Sequence, residues 1–109
     1  LFTPSETRPN YIFQTFLYAS IMCRQQTLKV APALLYIHRA ASDSYSPVIE
    51  MGEPRQPKIP VNNFTFFEDE FRKRLQTLLE EIFSENEPFT QTEDIKKCSY
   101  CDFKAICKR

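Results

Sequence analysis

Three cysteines near the end of the printed sequence have the spacing most indicative of chemistry. Cys98, Cys101 and Cys107 form a C-x2-C-x5-C pattern. A C-x2-C loop bends back so that two thiolates face one point, and a third cysteine one turn further can join them, as in zinc and iron–sulfur sites. Neighbouring lysines would favour the thiolate form. The pattern therefore predicts a metal or iron–sulfur centre in this cysteine knuckle (residues 98–107).

The predicted centre is one ligand short, because structural zinc and cubane clusters both take four protein ligands. Cys23 and the single histidine, His38, are the other candidates of the right kind. We interpret Cys23 as an apolar filler of a helix face and His38 as a strand residue. The fourth ligand is therefore expected on a part of the protein that this sequence does not include. A disulfide framework and unliganded thiols stay open as alternatives, because an even cysteine count is typical of short secreted domains.

Length and composition restrict the class of protein. The 109 residues suffice for one domain, and fourteen basic and fourteen acidic side chains give a net charge of zero. A broadly basic nucleic-acid binder is excluded, so any DNA contact must come from a local patch. The single glycine, Gly52, excludes glycine-rich phosphate cradles. No apolar stretch approaches a membrane span, and no leader is visible. Because the sequence begins at Leu1, we expect that it was processed or excised from a longer protein.

Two amphipathic helices are predicted. Apolar residues recur at helical spacing from Asn10 to about Gln26, after a lead-in over residues 1–8. Thr65 and Glu68 match a capping box, and an apolar face follows as far as Phe83. That face comprises Phe67, Phe71, Leu75, Leu78, Leu79 and Ile82, and the opposite side carries the acid–base pairs Asp69–Lys73 and Glu70–Arg74.

Two strands are predicted between the helices. The first spans Val30–Arg39, with its apolar centre buried on both faces, and the weaker second spans Ser44–Met51. The proline-rich stretch Glu53–Pro60 is expected to be an extended loop. The predicted fold class is α+β, in the order helix, strand, strand, helix and cysteine knuckle. Because two strands make a poor sheet alone, a partner chain or missing sequence should complete it.

A further motif lies on the first predicted helix, where Gln14 and Tyr18 form Q-x3-Y. Together with the two strands, the long helix and the cysteine knuckle, it resembles the C-terminal end of AddB/RecB-like nucleases of the PD-(D/E)xK superfamily. The resemblance covers residues 8–109. It implies part of a restriction-endonuclease-like fold, forming one partial domain with a nuclease-core portion (8–83) and a C-terminal segment (residues 84–109). It also implies an iron–sulfur cluster closed by one distant upstream cysteine.

The resemblance implies a function in DNA metabolism. Such nucleases hydrolyse DNA as metal-dependent exonucleases in recombinational repair, with catalytic carboxylates and a lysine holding Mg2+. Gln14 and Tyr18 would hold the DNA backbone or orient that lysine; alternatively, they merely pack an interface. A helicase–nuclease complex subunit would be the partner, and the location would be cytoplasmic. The catalytic Asp and Glu-x-Lys strands are absent, so we expect them upstream of Leu1 and expect this fragment to be inactive alone.

The remaining charged residues give a smaller set of predictions. Two D-x-K matches begin at Asp94 and Asp102, but we expect neither to be catalytic, because the first lies in a polar loop and the second inside the knuckle. A basic patch at the knuckle could contact DNA phosphates. Its residues are Lys96, Lys97, Lys104 and Lys108.

Two further expectations follow from an incomplete domain. Without the catalytic sheet, apolar side chains should be exposed and then covered by self-association or strand pairing between copies. The residues concerned are Phe13, Phe16, Leu34 and Tyr36. A different class of function also stays open, namely a zinc-stabilised interaction module without catalytic activity.

Overall fold

The computed structural model contains two long helices, a short hairpin and a third, short helix. It describes residues 1–2, 9–25, 29–53 and 55–109. The predicted lead-in at 3–8, the predicted helix end at Gln26 and the loop residue Pro54 lie outside them. In chain order the elements are α1 (Asn10–Gln25), β1 (Glu50–Met51), β2 (Ile59–Pro60), α2 (Thr65–Phe83) and α3 (Ile95–Ser99).

Helix α1 confirms the first predicted helix. Its buried residues Phe16, Ala19 and Ser20 follow the three-to-four-residue spacing of a helix face that packs against a core. This face contacts α2. The opposite face of α1 is consequently left to solvent.

An aromatic cluster joins α1 to α2. The ring centroid of Phe16 lies 5.0 Å from that of Phe64 and 6.0 Å from that of Phe71. Phe64 and Phe71 meet edge to face at 5.9 Å. Pairs in such geometry add about 0.5–1.5 kcal/mol each beyond the burial of their area. Phe2 and Phe13 extend the cluster on one side, each within 5.8 Å of Phe71.

Helix α2 confirms the second predicted helix, but only part of its predicted apolar face is buried. Phe71 is buried, and Phe67 and Leu75 pack partly against the cluster. Leu79 and Ile82 remain exposed near the C-terminal end. The predicted face is therefore buried or half-buried as far as Leu78 and exposed at its last two positions.

The predicted capping box at the start of α2 is wrong. Thr65 is the first residue inside the helix, and the N-cap is Phe64, whose side chain makes no capping hydrogen bond. The Oδ1 atom of Asn63 instead accepts a hydrogen bond from the backbone N–H of Thr65 at 3.1 Å. Glu68 turns towards Arg72, with an N–O distance of 3.1 Å. Burial of the Phe64 ring places the helix start one residue earlier than the capping pattern indicates.

One of the two predicted ion pairs along α2 is confirmed. The Arg74 guanidinium donates to Glu70 at 2.6 Å, and this bond lowers the pKa of the Glu70 carboxyl. Asp69 instead pairs with Arg72, at 2.9 Å, rather than with Lys73. The Arg72 side chain ends in a forked guanidinium, which reaches the Asp69 carboxylate from three residues away. Asp69 is therefore paired without Lys73.

The first predicted strand is wrong. Residues 30–36 contain a single isolated bridge, between Ala33 and Val48, and residues 37–41 form a turn. His38 therefore lies exposed in a turn rather than in a strand. Tyr45 fastens this region, because its hydroxyl donates to the Leu34 carbonyl at 2.5 Å and accepts from the Tyr36 N–H at 2.6 Å. A buried strand needs continuous pairing on both edges. The described residues give this stretch only the Val48 bridge and single backbone hydrogen bonds to Pro47 and Phe64.

The second predicted strand is confirmed only at its end. Glu50 and Met51 form β1, which pairs antiparallel with β2 in the register Glu50–Pro60 and Met51–Ile59. The pairing continues past the hairpin, where the Val61 N–H donates to the Ile49 carbonyl at 2.8 Å. The end of the predicted proline-rich loop is thus a strand. The sheet has two strands of two residues each, within a small α+β arrangement.

The expectation of exposed apolar surface is correct for only part of the chain. Phe16 is 1% exposed, and Phe13 and Leu34 pack against the core, so those three predictions are wrong. Tyr36 is exposed, as are its neighbours Leu35 and Ile37.

The radius of gyration, 17.4 Å, exceeds the roughly 13 Å of a compact domain of this length. No helix in the described ranges is both long and apolar enough to cross a bilayer.

Candidate functional site

The Q-x3-Y pair lies on the solvent side of α1. Residues four apart share a helix face, and the Gln14 Nε2 donates a hydrogen bond to the Tyr18 hydroxyl at 3.2 Å. Both side chains are exposed, on the side opposite Phe16 and Ala19. The burial of those two residues thus fixes the direction in which the pair points. The structure brings the two predicted residues together, and their predicted role in DNA hydrolysis stays a prediction.

An ion pair near the end of α1 helps to hold this helix in place. The Arg24 Nε lies 4.0 Å from the Glu68 Oε1, which links α1 to α2. Arg72 approaches the same oxygen from within α2. The Oε1 atom is buried and has no partner of hydrogen-bond geometry, so these charges alone compensate its burial. Glu68 is a residue whose packing role sequence reasoning missed, because the capping pattern assigned it to the helix start.

The cysteines lie in α3 and the turns that follow it. Asp94 caps α3, with its Oδ1 accepting the Lys96 N–H at 3.1 Å. Cys98 is in the helix, and the Cys101 N–H donates to the Cys98 carbonyl at 3.1 Å, which closes the C-x2-C turn. Cys107 follows two turns later. The structure therefore forms the tight loop that the spacing predicts.

All three cysteines line one cavity of about 170 Å³. The other side of this cavity is closed by an extended stretch, since the Gln91 Nε2 donates to the Cys107 carbonyl at 3.2 Å. Arg109 donates to both Gln91 and Thr92, at 3.3 and 3.4 Å. Sequence reasoning missed these three residues, because no local signal links side chains that lie 16 to 18 positions apart in the chain.

The thiols fit a metal centre in part. They share a cavity, and all four cysteines of the chain are free thiols in this structure. Within the described ranges, however, no three Cys, His, Asp or Glu side chains converge closely enough to hold a metal ion. Cys23 packs against the hydrophobic core, in agreement with its interpretation as an apolar filler, and His38 is exposed elsewhere. The donor chemistry is that of a thiolate site, and the described residues do not complete it.

The four predicted DNA-contacting lysines are exposed around the cysteine knuckle. Lys97 lines the cysteine cavity, and its Nζ lies 3.7 Å from the Asp94 Oδ2. Lys108 adopts a left-handed backbone, with φ of 58°. The chain thus gathers Lys96, Lys97, Lys104 and Lys108 in one segment, while their contact with DNA stays a prediction.

The two D-x-K matches lie outside strands. The Asp94 carboxylate caps the start of α3, and Asp102 lies in a turn inside the knuckle. A larger cavity, of about 310 Å³, lies between α2 and β1, lined mainly by apolar side chains and far along the chain from these motifs. Neither the D-x-K matches nor this cavity supplies an acid and a lysine on one strand, which the resemblance implies for catalysis.

Comparison with known proteins gives the family. Residues 3–108 match the PD-(D/E)XK nuclease superfamily, which is nearly the whole chain. The chain therefore belongs to this superfamily. Its α+β arrangement is consistent with the restriction-endonuclease-like fold, and a nuclease-type function follows. No curated protein and no solved structure matches the chain.

Proposed function

We propose that this chain is the C-terminal part of a RecB-type DNA exonuclease that acts in recombination and repair. The observation that carries the proposal is the hydrogen-bonded Gln14–Tyr18 pair on the exposed face of α1, in a chain that belongs to the PD-(D/E)XK superfamily. An exposed amide and phenol, one helical turn apart, can donate to phosphate oxygens or position a neighbouring lysine.

The catalytic carboxylates and lysine are proposed to lie on polypeptide outside these residues. The described part of the chain has no strand bearing an acid and a lysine together, and its strands are two residues long. Mg2+ held by those carboxylates would supply an activated water and neutralise the leaving oxygen. The exposed run of Leu35, Tyr36 and Ile37 supports this, because an added strand of the catalytic sheet would cover it.

The cysteine knuckle is proposed to hold an iron–sulfur cluster through Cys98, Cys101 and Cys107, with a fourth thiolate from elsewhere. Their shared cavity supports this reading. Such a cluster would tie the C-terminal segment to distant sequence. The proposed partner is a helicase subunit, and the proposed location is the cytoplasm. The isolated chain is proposed to self-associate through residues 35–37.

The test uses the complete natural polypeptide and linear DNA with Mg2+. Gln14→Ala and Tyr18→Phe should each lower the rate of hydrolysis, on the order of tenfold or more, because misplaced reacting groups lose rate steeply. The matched control is Tyr11→Phe, an exposed tyrosine on the same helix. Folding stability should stay within about 0.5 kcal/mol in all three variants, since exposed residues contribute little. Equal rates in Gln14→Ala, Tyr18→Phe and the control would refute the assigned role.

A further inference from the structure

Two aromatic side chains of the cysteine knuckle lie in solvent. Tyr100 is 93% exposed and Phe103 is 67% exposed. This is the reverse of the aromatic cluster, where Phe16, Phe64 and Phe71 are almost wholly buried. Exposed apolar side chains that lie together in one segment can mark a binding surface. The knuckle therefore presents ring faces that are open to a ligand.

The surroundings of these rings are strongly basic. From residue 95 to residue 109 the sequence has five cationic side chains and one acidic one, Asp102. The five are Lys96, Lys97, Lys104, Lys108 and Arg109. Successive backbone turns, with the Lys104 N–H donating to Cys101 and the Ile106 N–H to Phe103, keep this stretch folded back on itself. Rings and cations consequently occupy the same small segment, although the chain as a whole has no net charge.

We infer that Tyr100 and Phe103 stack on the unpaired bases of single-stranded DNA, while the surrounding lysines contact its phosphates. The inference rests on the proposed function and names the form of DNA that the knuckle binds. Surfaces that combine a basic track with exposed aromatic rings bind single strands, because every base offers a face for stacking. In a duplex those faces are already stacked on each other, so the rings add nothing there.

The chain contains an internal control for this assignment. Phe89 is 91% exposed, as open as Tyr100, but it lies in an acidic stretch with Glu85, Glu87 and Glu93. Negative charge there repels phosphates, so Phe89 cannot serve a nucleic acid. Exposure is thus matched between Phe89 and Tyr100, and the sign of the neighbouring charge differs.

The experiment measures, by anisotropy and without Mg2+, binding of the complete natural polypeptide to two fluorescent strands. One is an oligonucleotide of about 12 nucleotides, within the usual site size, and the other is an abasic strand with the same number of phosphates. The complete polypeptide should bind the base-bearing strand at least about fivefold more tightly, since stacking on one base contributes about that much or more. Tyr100→Leu and Phe103→Leu should each remove most of this preference. Tyr100→Phe and the control Phe89→Leu should retain it.

Duplex DNA separates stacking from charge. Tyr100→Leu should leave the affinity for a blunt duplex of matched length within about twofold, whereas Lys104→Gln should weaken duplex and single strand alike and flatten the salt dependence. Equal affinity for the base-bearing and abasic strands would overturn the inference. So would equal losses in Tyr100→Leu and Phe89→Leu, which would show that the basic surroundings of Tyr100 give it no special role in binding.

The result is separate from that of the proposed function. A wild-type protein that shows no preference for the base-bearing strand but still hydrolyses DNA with Mg2+ would refute the single-strand inference and leave the nuclease assignment standing. A clear stacking preference in a protein whose hydrolysis does not depend on Gln14 or Tyr18 would support the single-strand inference and refute the role assigned to that pair. Circular dichroism of each variant checks that the exposed substitutions leave the helices folded.

Discussion

The aromatic cluster between α1 and α2 and the C-terminal segment are ordered by different means. In the cluster, Phe16, Phe64 and Phe71 are buried and contact one another, so residues far apart in sequence hold the two helices together. In the C-terminal segment no described residue is buried, and Tyr100 and Phe103 are open to solvent. Its order comes from local turns and from the hydrogen bonds of Gln91 and Arg109.

The difference shows what each region needs in order to be stable. Burial of apolar area is enough to fix the first, because each large ring removed from water contributes about 1.5–3 kcal/mol. Hydrogen bonds exposed to water contribute little, so the second needs another source of stability. Thiolate ligation of a metal centre is such a source, because binding energy becomes folding energy. The proposed cluster would stabilise the C-terminal segment in this way.

The largest expected effect on stability is in the aromatic cluster. Phe64 is fully buried, so Phe64→Ala should lower the free energy of unfolding by about 3–5 kcal/mol, the usual cost of a cavity of that size. The measurement is equilibrium denaturation followed by circular dichroism. Phe103→Ala is the counterpart in the C-terminal segment and should cost less than about 0.5 kcal/mol. Similar losses in both variants would erase the contrast between the regions.

A smaller effect is expected where Glu68 links the two helices. Glu68→Gln removes its charge beside Arg24 and Arg72 and should cost about 1 kcal/mol or less, because both arginines are half in water. Asp69→Asn is the matched control, since Asp69 pairs with the same arginine but is 94% exposed. Wild type and Asp69→Asn should therefore have the same denaturant midpoint, and Glu68→Gln should have a lower one. An equal loss in the two variants would show that burial of the Glu68 carboxylate is irrelevant.

The smallest effect depends on pH. The hydrogen bond and charge of Arg74 hold the pKa of Glu70 below its ordinary value of 4.5. A lowered folded-state pKa contributes stability above the ordinary value, and this contribution is lost as pH falls through the folded-state pKa. Glu70→Gln should thus be slightly less stable than wild type at neutral pH, with the difference vanishing in acid. A difference that grows on acidification would contradict this sign.

The helices could be predicted from sequence because their apolar spacing is a local signal. Helix α1 buries Phe16 and α2 buries Phe71 on the faces that the period indicates, and the close Glu70–Arg74 pair follows from spacing alone. The start of α2 could not be predicted, since the buried Phe64 ring overrides the capping pattern of Thr65 and Glu68. Local rules fail where a tertiary contact competes with them.

The strand at Val30–Arg39 was predicted wrongly for a related reason. Strand formation depends on a neighbouring edge, and the apolar run before His38 has only the Ala33–Val48 bridge among the described residues. In the candidate site, the Gln14–Tyr18 contact and the tight cysteine loop follow from short spacings. The closure of the cysteine cavity by Gln91 and Arg109 does not, because it joins distant positions.

The most direct measurement of the central claim is the metal content of anaerobically purified complete protein. Iron and acid-labile sulfide should be present together, with a brown colour. Cys101→Ser should lose both, while Cys23→Ser should keep them, because Cys23 packs against the hydrophobic core. Colourless protein with stoichiometric zinc would instead favour an interaction module. Protein without metal, or loss of iron in Cys23→Ser alone, would contradict the account.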